Sequence, residues 1–263
     1  MLFFKRILKE PKPAPATGRT TPPMERRRTR RFVVNPQFPL KAVLSFNGRN
    51  DTASPTGEPR PAWKWEGRLI NCSEQGARIQ MNPGSKVGAR DLCDLQLMVE
   101  EFQLTVPCRI SNIAVETGGL VFGLQHDITD EETRKAYGQL LEVLALGSAL
   151  KLQIKAAEPD ATGYLMEHYS SNRPARLTVW RLPAGGGMVS FEFRLKDSLV
   201  RATAGQGMEY RNATDGRTAT PAKALEIKRL FQWVVPNIAE TVPADVRQIL
   251  KQYAAGDPEK PPA

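Results

Sequence analysis

Histidine and cysteine are scarce in this chain of 263 residues, with two histidines, His126 and His168, and three cysteines, Cys72, Cys93 and Cys108. The cysteines form no CxxC pair and the histidines have no metal-ligand spacing, so neither a zinc site nor a disulfide framework is indicated. The thiols fall at strand-like positions, where small buried side chains of a reducing compartment are expected. Paired carboxylates and Ser/His/Asp or Cys/His arrangements are missing too, and the adjacent Glu167 and His168 do not make an active site. The expectation is a protein that is not an enzyme and holds neither a metal nor a cofactor. Long apolar runs are also wanting. Residues 1–8 are apolar but broken by Lys5 and Arg6, too short for a signal core or a membrane span, and read as a frayed terminus of a cytoplasmic protein.

Lysine is absent from the densest basic run, Arg26-Arg27-Arg28-Thr29-Arg30-Arg31, which holds five arginines in six residues. A guanidinium offers a planar fork of donors to phosphate or to a guanine edge and can stack on a base, which an ammonium cannot. A solvated basic run of the nuclear-localisation or nonspecific nucleic-acid type is the plainer reading, and the run by itself leaves both open. Net charge is +9, yet residues 1–31 carry ten Lys or Arg against two Glu, while the other 27 basic and 26 acidic residues nearly cancel. A near-neutral body with a basic arm expects an anionic partner at that arm.

Residues 1–23 form a basic tail whose Pro11, Pro13, Pro15, Pro22 and Pro23 keep it extended and disordered. Strands follow. Leu40, Ala42, Leu44 and Phe46 share one face, 47–61 is a Gly/Asn/Asp/Ser/Pro loop, and 65–72 is the next strand. Ala77, Ile79 and Met81 alternate cleanly. Cys93, Leu95, Leu97 and Val99 face one way, as do Phe102, Leu104, Val106, Cys108 and Ile110, with Glu100-Glu101 as a tight hairpin between them. Leu120, Phe122 and Leu124 make a sixth strand after Gly118-Gly119. Thr129 with Glu132 is a capping box for a helix to about Leu146, with Ala136, Leu140, Val143 and Leu144 buried and Gly147 as its stop. Six short strands and a helix read as a small barrel with a closing helix.

The second strand ends in Asn71-Cys72-Ser73-Glu74-Gln75-Gly76. Residues two apart on a strand share a face, so Asn71 and Ser73 point together and can jointly donate and accept along a purine edge. Gly76 permits a turn with positive φ or close approach of a ligand. A strand-ending Asx or Ser turn is the alternative. Trp65 and Leu69 share parity with Asn71, and a bulge would re-aim this end. Arg27-x-x-x-Arg31 followed by Asn71-x-Ser73-x-x-Gly76, with Glu25 and Phe32 flanking the first half and the glycine-rich 119–124 strand behind, resembles the PilZ domain, a bacterial receptor for cyclic di-GMP. The resemblance covers roughly residues 24–146.

That resemblance implies that Arg27 and Arg31 clamp phosphates and guanine edges from a flexible arm, and that Arg26 and Arg28 add phosphate contacts or stacking. Asn71 and Ser73 would then bind a guanine edge, with Gly76 leaving room for it. Asn71 stands where the family often has Asp. An arginine at Arg26 suits two intercalated cyclic di-GMP molecules per chain. Arg30 could exchange roles with its neighbours, since Arg26 and Arg30 repeat the same spacing.

Residues 148–162, containing Glu158-Pro159-Asp160, read as a linker between a barrel at 24–147 and an α+β module at 163–256. In that module 177–182, 189–196 and 198–204 read as strands, with Gly185-Gly186-Gly187 as a hairpin turn. Thr220 caps a helix with Pro221 in its first turn and Pro236 as its end. Its buried face is Leu225, Ile227, Leu230, Phe231 and Val234. A second helix from Pro243 buries Val246, Ile249, Leu250 and Tyr253; 257–263 read as disordered. The whole is expected to be mainly β with α: a cytoplasmic bacterial receptor that binds cyclic di-GMP and signals through the C-terminal module to a protein partner, with nucleic acid not expected as a ligand. The alternatives are a basic-arm nucleic-acid-binding protein and a degenerate PilZ protein acting only by protein–protein contacts.

Overall fold

The computed structural model describes residues 29–46, 63–81, 87–183 and 185–256. The chain divides into two units, Met1–Leu141 and Glu142–Ala263. The first contains β1 (Phe32–Val33), β2 (Lys41–Phe46), β3 (Trp63–Ser73), β4 (Gly76–Met81), β5 (Leu92–Val99), β6 (Phe102–Glu116) and β7 (Gly119–His126). All pairings are antiparallel, and β3 closes onto β4 to make a six-stranded barrel, with β1 added outside β3. Alternation explains the core: Ala42, Leu44, Ile79, Leu95, Leu97, Val106, Ile110 and Phe122 are all fully buried.

The wavering parity of β3 has its cause in the expected bulge, a register shift between Leu69 and Asn71. Leu69 and Cys72, three apart, therefore both point inward, and Asn71 is turned to the outer side. The 100–101 hairpin is present, with Glu100 taking φ +51°. β6 runs on past Ile110 to Glu116 through a second bulge, a continuation that alternation does not mark because Ile113 and Val115 are exposed.

Helix α1 (Glu131–Ser148) follows β7. Its cap is Asp130, whose carboxylate accepts from Thr133 N at 2.7 Å, rather than Thr129. That bond holds the Asp130 carboxyl below its ordinary pKa. Gly147 does not end the helix. It sits within the last turn because Val234 packs there, its carbonyl 3.0 Å from where a Cβ would lie. Tyr137 and Leu141 join the expected Leu140, Val143 and Leu144 in the core, while Ala136 is only half-buried.

The second unit is a six-stranded antiparallel sheet whose strands lie side by side in chain order. Its strands are β8 (Lys151–Lys155), β9 (Leu165–Ser170), β10 (Ala175–Arg181), β11 (Met188–Leu195), β12 (Ser198–Thr203) and β13 (Met208–Asn212). Strand β8 occupies part of the expected 148–162 linker, and every one of its residues is exposed, which removes the apolar signal. Helices α2 (Pro221–Val234) and α3 (Ala244–Ala255) complete the unit. Thr220 and Pro221 start α2 as expected, with Thr220 Oγ1 accepting from Lys223 N at 3.4 Å. Phe231 stacks on Phe191 at 6.0 Å and meets Phe193 edge-on at 6.2 Å. Trp233 is buried, whereas Leu225, expected inside, is 50% exposed. The four apolar residues expected inward on α3 are all buried.

At the start of α3 an ion network joins the buried Glu167 to the half-exposed Asp245. Glu167 accepts from Tyr169 Oη at 2.8 Å and Arg181 Nε at 3.2 Å, and Arg181 Nη1 donates to Asp245 at 2.5 Å. Asp245 lies in the first turn of α3, where a carboxylate also suits the helix dipole. Phe231→Ala is expected to destabilise this unit by about 3–5 kcal/mol, and the exposed Leu225→Ala to stay within about 0.5 kcal/mol. Chemical denaturation of the full chain measures both.

Candidate functional site

The two half-motifs meet at the end of β3. Strand β1 lies antiparallel to it, with Phe32 opposite Cys72 and Val33 opposite Asn71, and Val34 N donates to Ile70 O at 2.9 Å. Phe32, Val34 and Phe38 are buried, so apolar side chains pin this end of the arm to the barrel. The same register continued by one residue brings the exposed Arg31 level with Ser73. Arg30 places its guanidinium carbon 5.7 Å from the centroid of the Phe32 ring, a cation–π distance. Arg26, Arg27 and Arg28 lie outside the described residues.

Asn71 is half-buried, and its Oδ1 is a covered acceptor with no hydrogen-bond partner among the described residues. A buried acceptor without a donor is costly, and an N–H edge presented from outside would satisfy it. Directly across the ladder is Arg78, paired with Glu116. Ser73 is nearly covered; its hydroxyl donates to Gly76 O at 3.2 Å, leaving lone pairs on Oγ as acceptors. The Ser-turn reading thus describes Ser73. Gly76 does not take the expected positive φ. It is glycine because β7 runs against it, and a Cβ there would lie 2.3 Å from Leu124 O.

Four successive carbonyls of this turn are held. Tyr137 Oη donates to Ser73 O at 3.0 Å. Glu74 O lies 3.4 Å from His126 Nδ1, which donates when the proton sits on that nitrogen. Gln75 O accepts from His126 N at 3.0 Å, and Gly76 O accepts from Ser73 Oγ. The His126 and Tyr137 rings pack edge-on, 4.7 Å apart and 87° between planes. Sequence reasoning missed both. The available signal was a tyrosine on the inward face of the closing helix and a histidine ending the last barrel strand.

This support is uncharged. Burial pushes the Cys72 thiol up to about 12, although a hydrogen bond with Tyr137 pulls the other way. Burial also raises the Tyr137 phenol and lowers His126 to about 4, against the opposing bond to Glu74 O. The other two cysteines, Cys93 and Cys108, are free, buried and likewise raised by burial. Among the described residues no group of three or more metal-ligating side chains occurs, and no helix is long and apolar enough to cross a membrane.

A family model described as PilZ domain matches residues 25–143. Those residues are a PilZ domain. Among curated proteins, none matches the chain. Solved structures similar to the chain include MrkH of K. pneumonia in complex with c-di-GMP, at 18% identity and TM-score 0.36, covering 47% of this chain and 54% of MrkH. The PilZ domain of YcgR from Escherichia coli with c-di-GMP is similar at 10% identity and TM-score 0.34, covering 46% of this chain and 92% of that one. The similarity thus spans about half the length of MrkH.

His126 of the PilZ domain makes stability acid-sensitive. The unfolded chain protonates histidine near 6.5, while the folded chain holds it neutral to about 4. The unfolded state takes up the proton first, so stability falls as pH drops from about 6.5 to about 4. The expected loss is about 2 kcal/mol after allowing for the partly exposed ring. Denaturation of wild type and His126→Phe across that window checks it. The variant should be flatter by that amount.

Proposed function

We propose that this chain is a cyclic di-GMP receptor. The ligand lies between the arginine segment and the 71–76 end of β3, and the C-terminal unit passes the signal to a protein partner in the cytoplasm. The observation that carries the reading is the pairing of β1 with β3, which brings Arg31 level with Ser73 and beside the unspent Asn71 acceptor. Guanine offers O6 and N7 acceptors to a guanidinium fork, and its N–H donors face the other way, toward an amide oxygen. Adenine presents an amino donor where guanine has O6, and a guanidinium opposes it. The arm supplies the positive charge for two phosphates, and the neutral support beneath the turn does not offset it.

Arg27 and Arg31 clamp phosphate and guanine; Arg26 and Arg28 add charge and stacking. With Arg26 present, two stacked ligands fit the requirement for many positive partners around four phosphates. The convergence of these arginines depends on the anion between them, so ligand binding and arm placement are coupled. This is binding chemistry and needs no catalytic group.

Titration calorimetry tests the reading. Cyclic di-GMP is expected to bind near two per chain and at least tenfold tighter than cyclic di-AMP. Losing a hydrogen bond to a charged group costs roughly 1.5–3 kcal/mol, so Arg27→Ala and Arg31→Ala should each weaken binding by about tenfold or more. Asn71→Ala should do so by a smaller factor. Equal affinity for the two dinucleotides, or wild-type affinity in both arginine variants, contradicts the site. A ratio near one ligand in fully active protein contradicts the paired mode alone.

A further inference from the structure

The second sheet has one face against the aromatic core and another turned away from it. Leu177, Val179, Phe191, Phe193, Leu195 and Val200 are the buried set. On the opposite face, strand register aligns a row that crosses all six strands. Lys151 pairs with Ser170, Ser170 with Arg176, Arg176 with Arg194, Arg194 with Leu199, and Leu199 with Arg211. No acid falls in this row. Like charges directly opposite on antiparallel strands destabilise a sheet, yet Arg176 and Arg194 are such a pair, and both are exposed.

Compensation is uneven across the face. Arg211 is neutralised by Glu209, at 2.8 and 3.0 Å, and Arg201 lies between Glu192 and Glu209 in the next row. Lys151, Arg176 and Arg194 make no ion pair among the described residues. Two π-faces lie in the next two rows on the same face. Trp180 on β10 and His168 on β9 share the outer side and are diagonal neighbours, since His168 pairs with Thr178 and Trp180 with Met166. His168 Nδ1 is 3.1 Å from Thr178 Oγ1, which holds the imidazole in place.

We infer that this face binds single-stranded nucleic acid, its phosphates along Lys151, Arg176 and Arg194 and its bases against Trp180 and His168. A flat sheet bearing a line of cations beside aromatic rings suits an unpaired strand, whose phosphates track the charge and whose bases stack. An anionic bilayer matches the charge only. Ile154 is the exposed aliphatic side chain that the strand register places on this face, too little apolar surface to enter a membrane. The proposal does not rest on cyclic di-GMP binding.

The test is fluorescence anisotropy of the full chain with a labelled oligothymidine of about fifteen nucleotides, within the span of known single-strand sites. Arg176→Glu with Arg194→Glu should weaken binding at least tenfold. The slope of log affinity against log salt should fall by about 1.4, as for two lost single-strand phosphate contacts. Lys228→Glu on α2, half that charge change and on the helix side, should stay within about threefold, because a long-range field contributes little beyond a Debye length. Both variants should keep the wild-type circular dichroism and cyclic di-GMP affinity. The double glutamine variant repeats the test should the reversal disturb folding. The oligonucleotide should quench tryptophan emission in wild type and lose most of that quench in Trp180→Phe. Unchanged oligonucleotide affinity in the double variants assigns binding to the basic arm and overturns the proposal. Binding to phosphatidylserine vesicles without oligonucleotide binding overturns it in favour of a membrane.

Discussion

The 73–76 turn is held by its carbonyls, and the candidate site depends on that hold. Tyr137 reaches Ser73 O from α1, His126 reaches Glu74 O and Gln75 O from the end of β7, and Ser73 closes on Gly76 O. Each bond occupies a main-chain acceptor of the turn. Together they fix the end of β3 from two elements distant in sequence and from within the turn itself. Asn71 is presented with its acceptor unspent because the bulge turns it outward and nothing described reaches Oδ1. A wall fixed before the ligand arrives loses little conformational entropy on binding, which is the physical meaning of preorganisation.

The buried support beneath that wall is neutral. His126 is kept neutral and the Cys72 thiol protonated by burial, so no ion beneath the turn competes with the arginines. The cationic part is in the arm, which β1 anchors through Phe32 and Val34. Anchoring by two paired residues and three apolar side chains fixes where the arginine run begins.

Much of the barrel was legible because its strands alternate and their ends carry Gly, Glu-Glu or Asn-Ser signals. The bulge in β3 was readable from parity, since Trp65 and Leu69 fall on the same side as Asn71 in a regular strand. Other features were hidden for physical reasons. Two-residue β1 has no period to detect, and β8 with its exposed Lys, Gln and lone Leu and Ile looks like a linker. Asp130 captured the α1 cap from Thr129, as either side chain could accept the same N–H groups. Gly147 looked like a stop, but it is a close-approach residue facing Val234. In the site, the motif residues were visible by type, whereas Tyr137 and His126 were not, because each contributes one bond from a single position. Gly76 was singled out for a positive φ or for close ligand approach, and the constraint the structure displays is the backbone of β7, which sequence does not reveal.

The most direct test of the account is a crystal structure of the full chain with cyclic di-GMP. It should show a guanine N–H edge within hydrogen-bond distance of Asn71 Oδ1, Arg27 and Arg31 on the ligand, and the Tyr137–Ser73 and His126–Gln75 bonds retained. A ligand seated away from the end of β3, or a 73–76 turn that abandons those bonds to admit it, would contradict it.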